Sequence, residues 1–327
     1  MELLLAKISN NYGLHLSFVE RVTKGFLSEN YILSDGEKRY FLKKYRFNSD
    51  ERVREVHLVK KYFADGGIPV ISPISDKEGN TFFLFENGYF SLFPFISDKQ
   101  LERGSLTEKA VVSLGHVLGK IHVLGKDSKL TIKERFKPWD KENALEKIKT
   151  IESVIKDKST PDEFDKMALE SIDLKRKLIL SSGVRHEDLH LPSDHLIHGD
   201  YLDHNVFFGV NDDVSYVFDF EKTDYSPRTY ELFRSLTYSF LNGTVLGEDI
   251  TRAKLYLESY LKIYPTSKDE LSRGLRLFYL KSIHGVWVES EHYLKENARV
   301  DEFLSNDLQR IKYLSVNYEY LEDNLLR

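Results

Sequence analysis

The chain has 327 residues, of which 41% are hydrophobic and 30% charged, an ordinary composition for a globular protein of one or two domains. Its net charge of −5 gives no electrostatic reason to expect nucleic-acid binding, and the lack of cysteine excludes disulfides, thiolate metal sites and cysteine nucleophiles. No run approaches the roughly 20 apolar residues of a membrane span, and the first residues lack the basic lead of a secretory signal, so we expect a cytoplasmic protein without a membrane partner.

The first hundred residues predict a small lobe that is rich in β-strands. Two helices are expected there, at residues 3–12 and 49–64. Asp35-Gly36 and Asn87-Gly88 each lie between two apolar runs and are typical of hairpin turns. Five strands follow from the alternation of apolar residues, at residues 17–24, 31–34, 39–45, 81–86 and 89–95.

Helical periodicity dominates from residue 101 onward. An amphipathic helix is predicted at residues 107–124, with further helices at 143–155 and 164–180. The remaining helices follow the polar segment described next. We expect a domain boundary near residue 96, which divides the chain into residues 1–96 and 97–327.

Three residues with hard oxygen donors stand close together in the second half. Asp200 and Asn205 are five residues apart, and Asp219 ends the next predicted strand. Kinase catalytic loops have this spacing: a base Asp, a metal-binding Asn and a second metal-binding Asp. Carboxylate and amide oxygens suit Mg²⁺, and a further carboxylate is needed to take the proton of the acceptor hydroxyl. The segment therefore predicts an ATP- and Mg²⁺-dependent phosphotransferase with Asp200 as the base and Asn205 and Asp219 at the metal.

The segment also departs from the protein-kinase pattern. Gly199 replaces the Arg of His-Arg-Asp, and Glu221 replaces the Gly of Asp-Phe-Gly. The chain reaches Pro227 within eight residues of Asp219, which leaves almost no room for the loop on which protein kinases receive a peptide. A protein kinase is therefore a weaker alternative.

The catalytic segment, followed by Pro-Arg-x-Tyr-acid-Leu at residues 227–232, resembles the aminoglycoside phosphotransferase and choline kinase-like family of small-molecule kinases. That family usually has Asp where this chain has Glu231. The resemblance extends from about residue 13 to residue 236 and is specific in the catalytic segment only. It implies an α+β, two-lobed protein-kinase-like fold, with an antiparallel β-rich N-lobe and a mainly helical C-lobe.

The kinase interpretation requires a lysine that holds the α- and β-phosphates. Lys43 and Lys44 are both candidates on the third strand. Strand alternation favours Lys43, because an alignment on Lys44 would bury Lys43 among apolar side chains. Glu55 shares the packing face of the following helix and is expected to orient the lysine, whereas Glu51 is explained by the helix dipole alone.

Other residues are assigned to the nucleotide by their position. The turn after the first strand is expected to cover the phosphates, since glycine allows close approach of the backbone. The aromatic residues of the third and fifth strands are expected near the adenine, and the hinge residues do not distinguish ATP from GTP. The expected phosphate contacts in the turn are Gly25 and Ser28. The aromatic residues expected near the adenine are Phe41, Phe93 and Phe95.

The acceptor site is defined least well by the sequence. A concentration of acidic side chains would suit a cationic substrate such as an amino sugar. The aromatic pair Trp287 and Tyr293 could instead hold a quaternary ammonium by cation–π attraction. An equally weighted alternative is that Glu289 and Glu291 form a solvated helix face. The candidate wall residues are Asp203, Glu221, Asp224, Glu231, Trp287, Glu289, Glu291 and Tyr293.

The acceptor is expected to be a hydroxylated small molecule such as an aminoglycoside, an amino sugar, choline or a homoserine-like compound, and the sequence does not choose among them. The main alternative is a catalytically silent binding or structural protein with a kinase fold, like some spore-coat relatives. His186, His190 and His195 resemble a loosely spaced metal cluster, but the spacing does not require one, and a solvated loop is the preferred interpretation. The sequence does not predict the oligomeric state.

Overall fold

The computed structural model describes residues 1–22, 29–47, 49–101, 104–241 and 246–326, without the side chains of 246–249. The chain forms two compact units. The first contains residues 1–105, 129–132 and 198–223, and the second contains 106–128, 133–197 and 224–327. The segment with the predicted catalytic residues thus belongs to the same unit as the N-terminal strands. The domain boundary at residue 96 stays a prediction.

Helices and strands are numbered here in chain order. The elements are α1 (Glu2–Tyr12), β1 (Ser17–Val22), β2 (Asn30–Ser34), β3 (Arg39–Lys44), α2 (Asp50–Asp65), β4 (Phe83–Phe85), β5 (Gly88–Pro94), α3 (Glu108–Lys126), α4 (Lys141–Lys156), α5 (Glu163–Ser181), β6 (His195–Ile197), β7 (Val206–Phe208), β8 (Val214–Val217), β9 (Asp224–Ser226), α6 (Arg228–Phe240), α7 (Leu246–Ile263), α8 (Lys268–His284), α9 (Trp287–Lys295) and α10 (Phe303–Leu326).

An antiparallel sheet is the centre of the first unit. Its five strands lie in the order β1-β2-β3-β5-β4, and each pair of neighbours is antiparallel. The sequence-based expectation of an antiparallel, strand-rich N-terminal region is confirmed. The helices predicted at residues 3–12 and 49–64 are present as α1 and α2.

Both predicted hairpins form, but one turn is displaced by a residue. In the β2–β3 loop, Gly36 has φ +98° and Asp35 Oδ1 accepts hydrogen bonds from two following backbone N–H groups, as an Asp-Gly turn requires. In the β4–β5 hairpin, Gly88 is paired with Phe85, so the turn lies at Glu86 and Asn87, and Glu86 has φ 50°. A Cβ on Gly88 would meet Cε of the flexible Lys44 side chain at 2.8 Å, so the lysine covers this glycine in the strand.

Strand β3 separates its side chains between the two faces of the sheet. Tyr40 and Leu42 are buried against Leu4 and Ile8 of α1. Lys43 lies on the opposite face, because successive side chains of a strand alternate. The predicted orientation of β3 is confirmed, and it determines where the Lys43 ammonium lies.

A short hairpin, β7–β8, places the end of the catalytic segment within the first unit. The Val217 amide donates to Pro69 O at 2.7 Å, and the Ile71 amide donates to Val217 O at 3.1 Å. These bonds fasten the end of β8 to the chain that follows α2. Asp219 comes two residues later, so its position depends on this attachment.

The second unit is mainly helical and contains the short β6–β9 pair. Helices α3 and α7 pack closely at Gly115, where a Cβ would approach Tyr256 O to 2.5 Å. Thr107 is the N-cap of α3, and its side chain accepts a hydrogen bond from the Ala110 amide. Among the described residues, no helix contains an apolar stretch long enough to span a membrane.

Candidate active site

Two carboxylates hold the Lys43 ammonium. Lys43 Nζ lies 3.0 Å from Asp219 Oδ1 and 2.5 Å from Glu221 Oε1. Burial lowers the pKa of Lys43, but the negative charges of Asp219 and Glu221 outweigh burial, and the net pKa lies above its ordinary value. Lys43 is therefore an ammonium at neutral pH. Glu221 is buried and also accepts a hydrogen bond from Arg46 Nε at 3.1 Å.

Asp219 has a constrained backbone. Its φ of 64° lies in the left-handed region, which non-glycine residues adopt rarely and often at functional sites. The next residue, Phe220, is fully buried and packs on Phe63 of α2 and on His198, with ring centroids at 5.7 Å and 4.3 Å. Burial raises the pKa of Asp219, but the Lys43 ammonium outweighs it, and the net pKa is lower than usual. Asp219 is therefore a carboxylate held in position by its buried neighbour.

His198 connects the two halves of the catalytic segment. Its Nε2 donates to Phe218 O at 2.8 Å, and its Nδ1 accepts from the Asp200 amide at 3.2 Å. The two bonds together define one tautomer, with the hydrogen on Nε2. His198 thus braces the loop and takes no proton from a substrate in this arrangement.

Gly199 is required by the approach of another part of the backbone. Its φ is +84°, and a Cβ at this position would lie 2.0 Å from Lys222 O. No residue with a side chain fits without displacing one of the two segments. The replacement of the kinase Arg by Gly199 therefore has a direct structural reason.

Asp200 and Asn205 are joined within the loop. Asn205 Nδ2 donates to Asp200 O at 2.8 Å, and the Phe218 amide donates to Asn205 O at 3.1 Å. Lys222 Nζ lies 2.9 Å from Asp200 Oδ2, an ion pair that the sequence analysis did not identify. The sequence feature that could have identified Lys222 is its position directly after Asp-Phe-Glu. The loop thus brings together the three residues that the spacing singled out.

The donor groups of this loop suit a hard divalent cation. Because Asn205 uses its NH₂ group on Asp200 O, its Oδ1 is the atom left to serve as a metal ligand. Asp219 contributes a carboxylate whose side chain is 37% exposed. Amide and carboxylate oxygens are the ligands that Mg²⁺ prefers. Among the described residues, no cluster of three His, Cys, Asp or Glu side chains offers a competing metal site.

Glu55 is buried on α2, as predicted, and its Oε2 lies 3.1 Å from Arg52 Nη1. Arg52 Nη2 donates to Glu221 O at 2.7 Å and to Thr223 O at 3.0 Å. Arg52 therefore fastens α2 to the loop that follows Asp219. That Glu55 orients Lys43 stays a prediction. Arg52 was not predicted as a site residue, although its i,i+3 spacing from Glu55 places both side chains on one helix face.

Replacing Arg52 with methionine is expected to lower the free energy of unfolding by roughly 3–5 kcal/mol, because the change removes a buried charge from a carboxylate and two carbonyls. Urea denaturation measures this loss. Arg54→Met is the matched control, since Arg54 is 67% exposed and its ion pair with Asp50 should contribute at most about 1 kcal/mol. Equal stability of the two variants would contradict the fastening role of Arg52.

The predicted nucleotide residues lie on one face of the sheet where they are described. Phe41 is paired with Phe93, and Lys43 with Ser91, so these side chains share the face that carries the ammonium. Phe95 follows the end of β5 and is partly buried. The guanidinium carbon Cζ of Arg39 lies 5.8 Å from the centroid of the Phe95 ring. Gly25 and Ser28 lie outside the described residues. The contacts of all five with a nucleotide stay predictions.

The predicted acceptor residues fall in both units. In the first unit, Asp203 is 2% exposed, and Glu221 joins Lys43 in the ion-pair cluster described above. In the second unit, Asp224 is buried and accepts from the Arg135 amide at 2.8 Å, and burial raises the pKa of its carboxyl group. Trp287 is half exposed and packs against Phe303. The role of each in acceptor binding stays a prediction.

Glu289 and Glu291 also have partners within the second unit. Glu289 is completely buried and lies 2.8 Å from Lys175 Nζ, so the alternative of a solvated face is wrong for this residue. The sequence could not reveal this burial, because Lys175 comes from another helix. Glu291 pairs with Lys295 at 2.6 Å on the same helix.

The predicted histidine run is not a solvated loop throughout. His195 is 5% exposed and bonds to Asp194 at 2.6 Å and to Tyr264 OH at 2.9 Å. Burial lowers its pKa to about 4, so its ring is neutral at physiological pH. His190 and His195 line a cavity of about 420 Å³ within the second unit. The arginines of this cavity are already paired, Arg228 with Glu270 and Arg273 with Asp269.

Three solved structures have the same fold. A spectinomycin phosphotransferase in complex with ADP and spectinomycin has a TM-score of 0.67 and 18% identity over 99% of this chain and 98% of its own. A microcompartment-associated aminopropanol kinase has a TM-score of 0.65 and 15% identity over 100% and 99% of the two chains. A Plasmodium vivax ethanolamine kinase has a TM-score of 0.58 and 15% identity over 96% and 88%.

A comparison with curated protein sequences gives no significant match. The sequence profile of the phosphotransferase enzyme family, in contrast, matches residues 19–265. This match spans the sheet, the catalytic segment and the first helices of the second unit. The chain therefore belongs to the phosphotransferase enzyme family and has the protein-kinase-like fold of its small-molecule kinases.

Proposed function

We propose that this phosphotransferase transfers the γ-phosphoryl group of Mg-ATP to a hydroxyl of a small molecule. The observation that carries the proposal is the arrangement within the first unit, where Lys43 contacts Asp219 and the catalytic loop joins Asp200 to Asn205. An ammonium and hard oxygen donors near one another are what a nucleoside triphosphate and its metal require.

The Lys43 ammonium would hold the nucleotide phosphates after exchanging part of its contact with Asp219 and Glu221 for phosphate oxygens. Asn205 Oδ1 and the Asp219 carboxylate would hold Mg²⁺, which when bound offsets the negative charge of the phosphates. Arg52 would keep the Asp219 loop against α2 during this exchange. These three contributions account for positioning and charge, which dominate catalysis of phosphoryl transfer.

Asp200 would act on the acceptor. Its side chain is 13% exposed, and Lys222 lies 2.9 Å from its Oδ2. A carboxylate at this place can orient a hydroxyl and accept its proton as the oxygen attacks the γ-phosphorus and the bond to the β-phosphate oxygen breaks. The products are ADP and a phosphate monoester of the acceptor.

An amine that carries a hydroxyl is the acceptor class we propose. The solved structures of like fold include kinases of aminopropanol and ethanolamine, which both contain these two groups. The short connection between Asp219 and α6 supports a small acceptor rather than a peptide. Buried acids such as Asp203 would favour a cationic substrate.

Acceptor-dependent ADP release from Mg-ATP is the experiment that tests this function. The panel contains amino alcohols, choline, homoserine, amino sugars and aminoglycosides, with neutral sugars as the comparison. We expect at least one hydroxylated amine to stimulate ADP release, and neutral sugars to give less. Mg-ATP binding without stimulation by any hydroxylated amine would contradict the proposed acceptor class, and failure to bind Mg-ATP would contradict the proposed function.

A further inference from the structure

Lys60 of α2 is a buried cation that the mechanism above does not use. The residue is 5% exposed, and its Nζ lies 4.2 Å from the centroid of the Phe93 ring. In the part of the chain that the structure describes, no carboxylate lies within ion-pair distance of Lys60. Lys175, a comparably buried lysine of the second unit, contacts both Glu289 and Asp307. The charge of Lys175 is thus balanced by carboxylates inside the protein, whereas the charge of Lys60 is not balanced in this way within the described residues.

This position is unfavourable for an ammonium. Burial, and then the charge of Lys43, lowers the pKa of Lys60 to about 7, although Asp219 and Glu221 act in the opposite direction. The contact with the Phe93 ring offsets only part of the desolvation cost. A methionine would fill a similar volume without this cost, so packing alone does not explain a lysine here.

The strand pairing shows what Lys60 lies near. Phe93 on β5 is paired with Phe41 on β3, and Ser91 with Lys43, so Phe93 and Lys43 share one face of the sheet. The Lys43 ammonium on that face contacts Asp219 and Glu221. The ammonium of Lys60, above Phe93, thus lies on the face of the sheet to which we assign the nucleotide.

We propose that Lys60 is a second cationic residue of the nucleotide site, beside Lys43, and that it contributes its charge when the phosphate groups of the nucleotide bind. This inference rests on the proposed function. The anion supplies the partner that Lys60 lacks among the described residues. Because Lys43 already faces two carboxylates, a second cation beside it adds to the attraction for a triphosphate.

The charged groups around Lys60 allow its pKa to rise when the phosphate groups of a nucleotide bind. Lys43 comes from β3, and Asp219 and Glu221 come from the loop after β8. His57, on the same helix, has a pKa of about 3 because of burial and the neighbouring lysines, so it stays neutral. Arrival of a polyphosphate favours the charged form of Lys60 and raises its pKa. Lys60 therefore takes up a proton from solution when nucleotide binds above neutral pH.

Titration calorimetry of ATP binding, in two buffers with different ionisation enthalpies at about pH 8, measures affinity and proton uptake together. We expect Lys60→Met to weaken ATP binding by roughly tenfold or more and to abolish the uptake. Lys60→Arg, which is always charged, should keep most of the affinity and also lose the uptake. Lys61→Met is the matched control, because Lys61 is 72% exposed and pairs with Asp65.

Thermal denaturation separates binding from folding in the same variants. Lys60→Met should be at least as stable as the wild type, since it removes a buried charge that has no carboxylate partner within the described residues. Wild-type affinity and proton uptake in Lys60→Met would overturn the inference and leave the proposed function intact. Failure of the wild-type protein to bind ATP would instead overturn the proposed function.

Discussion

Replacing Asp200 with asparagine is expected to lower kcat by roughly 10²- to 10⁴-fold and to leave the affinity for Mg-ATP nearly unchanged. Asparagine keeps the size of the side chain but cannot take the proton of the acceptor hydroxyl. The Lys222 side chain loses a partner at 2.9 Å but is 51% exposed, so water replaces that partner at little cost. Steady-state kinetics with a saturating acceptor, together with calorimetric titration of Mg-ATP, measure the two quantities separately.

Asp213→Asn is the matched control for this substitution. Asp213 is exposed in the β7–β8 loop of the same unit, so the change in net charge is identical. We expect its kcat to equal that of the wild type. If Asp200→Asn retained more than about a tenth of the wild-type kcat, Asp200 would not be the general base.

Replacing Gly199 with alanine is the second substitution with a large expected effect. The added Cβ would lie 2.0 Å from Lys222 O, and φ +84° is unfavourable for alanine. One segment must move. Movement of residue 199 shifts Asp200, which is adjacent in sequence, and movement of residue 222 shifts the ammonium that pairs with Asp200. A displacement of 1 Å at a catalytic group can reduce the rate by about 10²-fold. We expect at least this loss in kcat, with a lower free energy of unfolding by roughly 1–3 kcal/mol.

Gly209→Ala controls for the loss of a glycine in the same unit. A Cβ at Gly209 would have ordinary contacts, 3.7 Å from Ser215 and 3.9 Å from Asp213 O. This variant should resemble the wild type in kcat and in urea denaturation. Wild-type kinetics in Gly199→Ala would show that the close approach to Lys222 O does not determine the position of Asp200.

The catalytic segment could be predicted from sequence because its members are close together in the chain. Asp200 and Asn205 are part of one loop, and Asp219 follows the β7–β8 hairpin that comes next in the chain. Their chemistry and spacing carry the signal without any knowledge of distant contacts. The same is true of the β2–β3 hairpin, where Asp35 and Gly36 determine the turn by local geometry.

The partners of Lys43 could not be predicted in full, because they depend on contacts across about half of the chain. Strand alternation correctly placed Lys43 on the face opposite Tyr40 and Leu42. It did not show that Glu221 would approach Lys43 to 2.5 Å, since the two residues are brought together only by the fold. Lys60 was missed for the same reason, because an amphipathic pattern does not distinguish a buried lysine from an exposed one.

The turn of the β4–β5 hairpin was predicted one residue too late. Asn87-Gly88 is typical of the two central residues of a tight turn, but Gly88 is paired with Phe85. The side chain of Lys44 on the neighbouring strand occupies the space that a Cβ of residue 88 would need. The turn lies one residue before the Asn-Gly pair, and Glu86 adopts the left-handed conformation.

Following the γ-phosphoryl group of labelled ATP tests the central claim most directly, because ADP release alone does not distinguish transfer from hydrolysis. The wild-type protein is incubated with Mg²⁺, γ-labelled ATP and the acceptor that stimulates ADP release most, and the products are separated and identified by mass. We predict that the label appears on a hydroxyl of the acceptor as a phosphate monoester, and that Asp200→Asn forms little of this product. Label found only in inorganic phosphate, or only on protein, would contradict a kinase of small molecules.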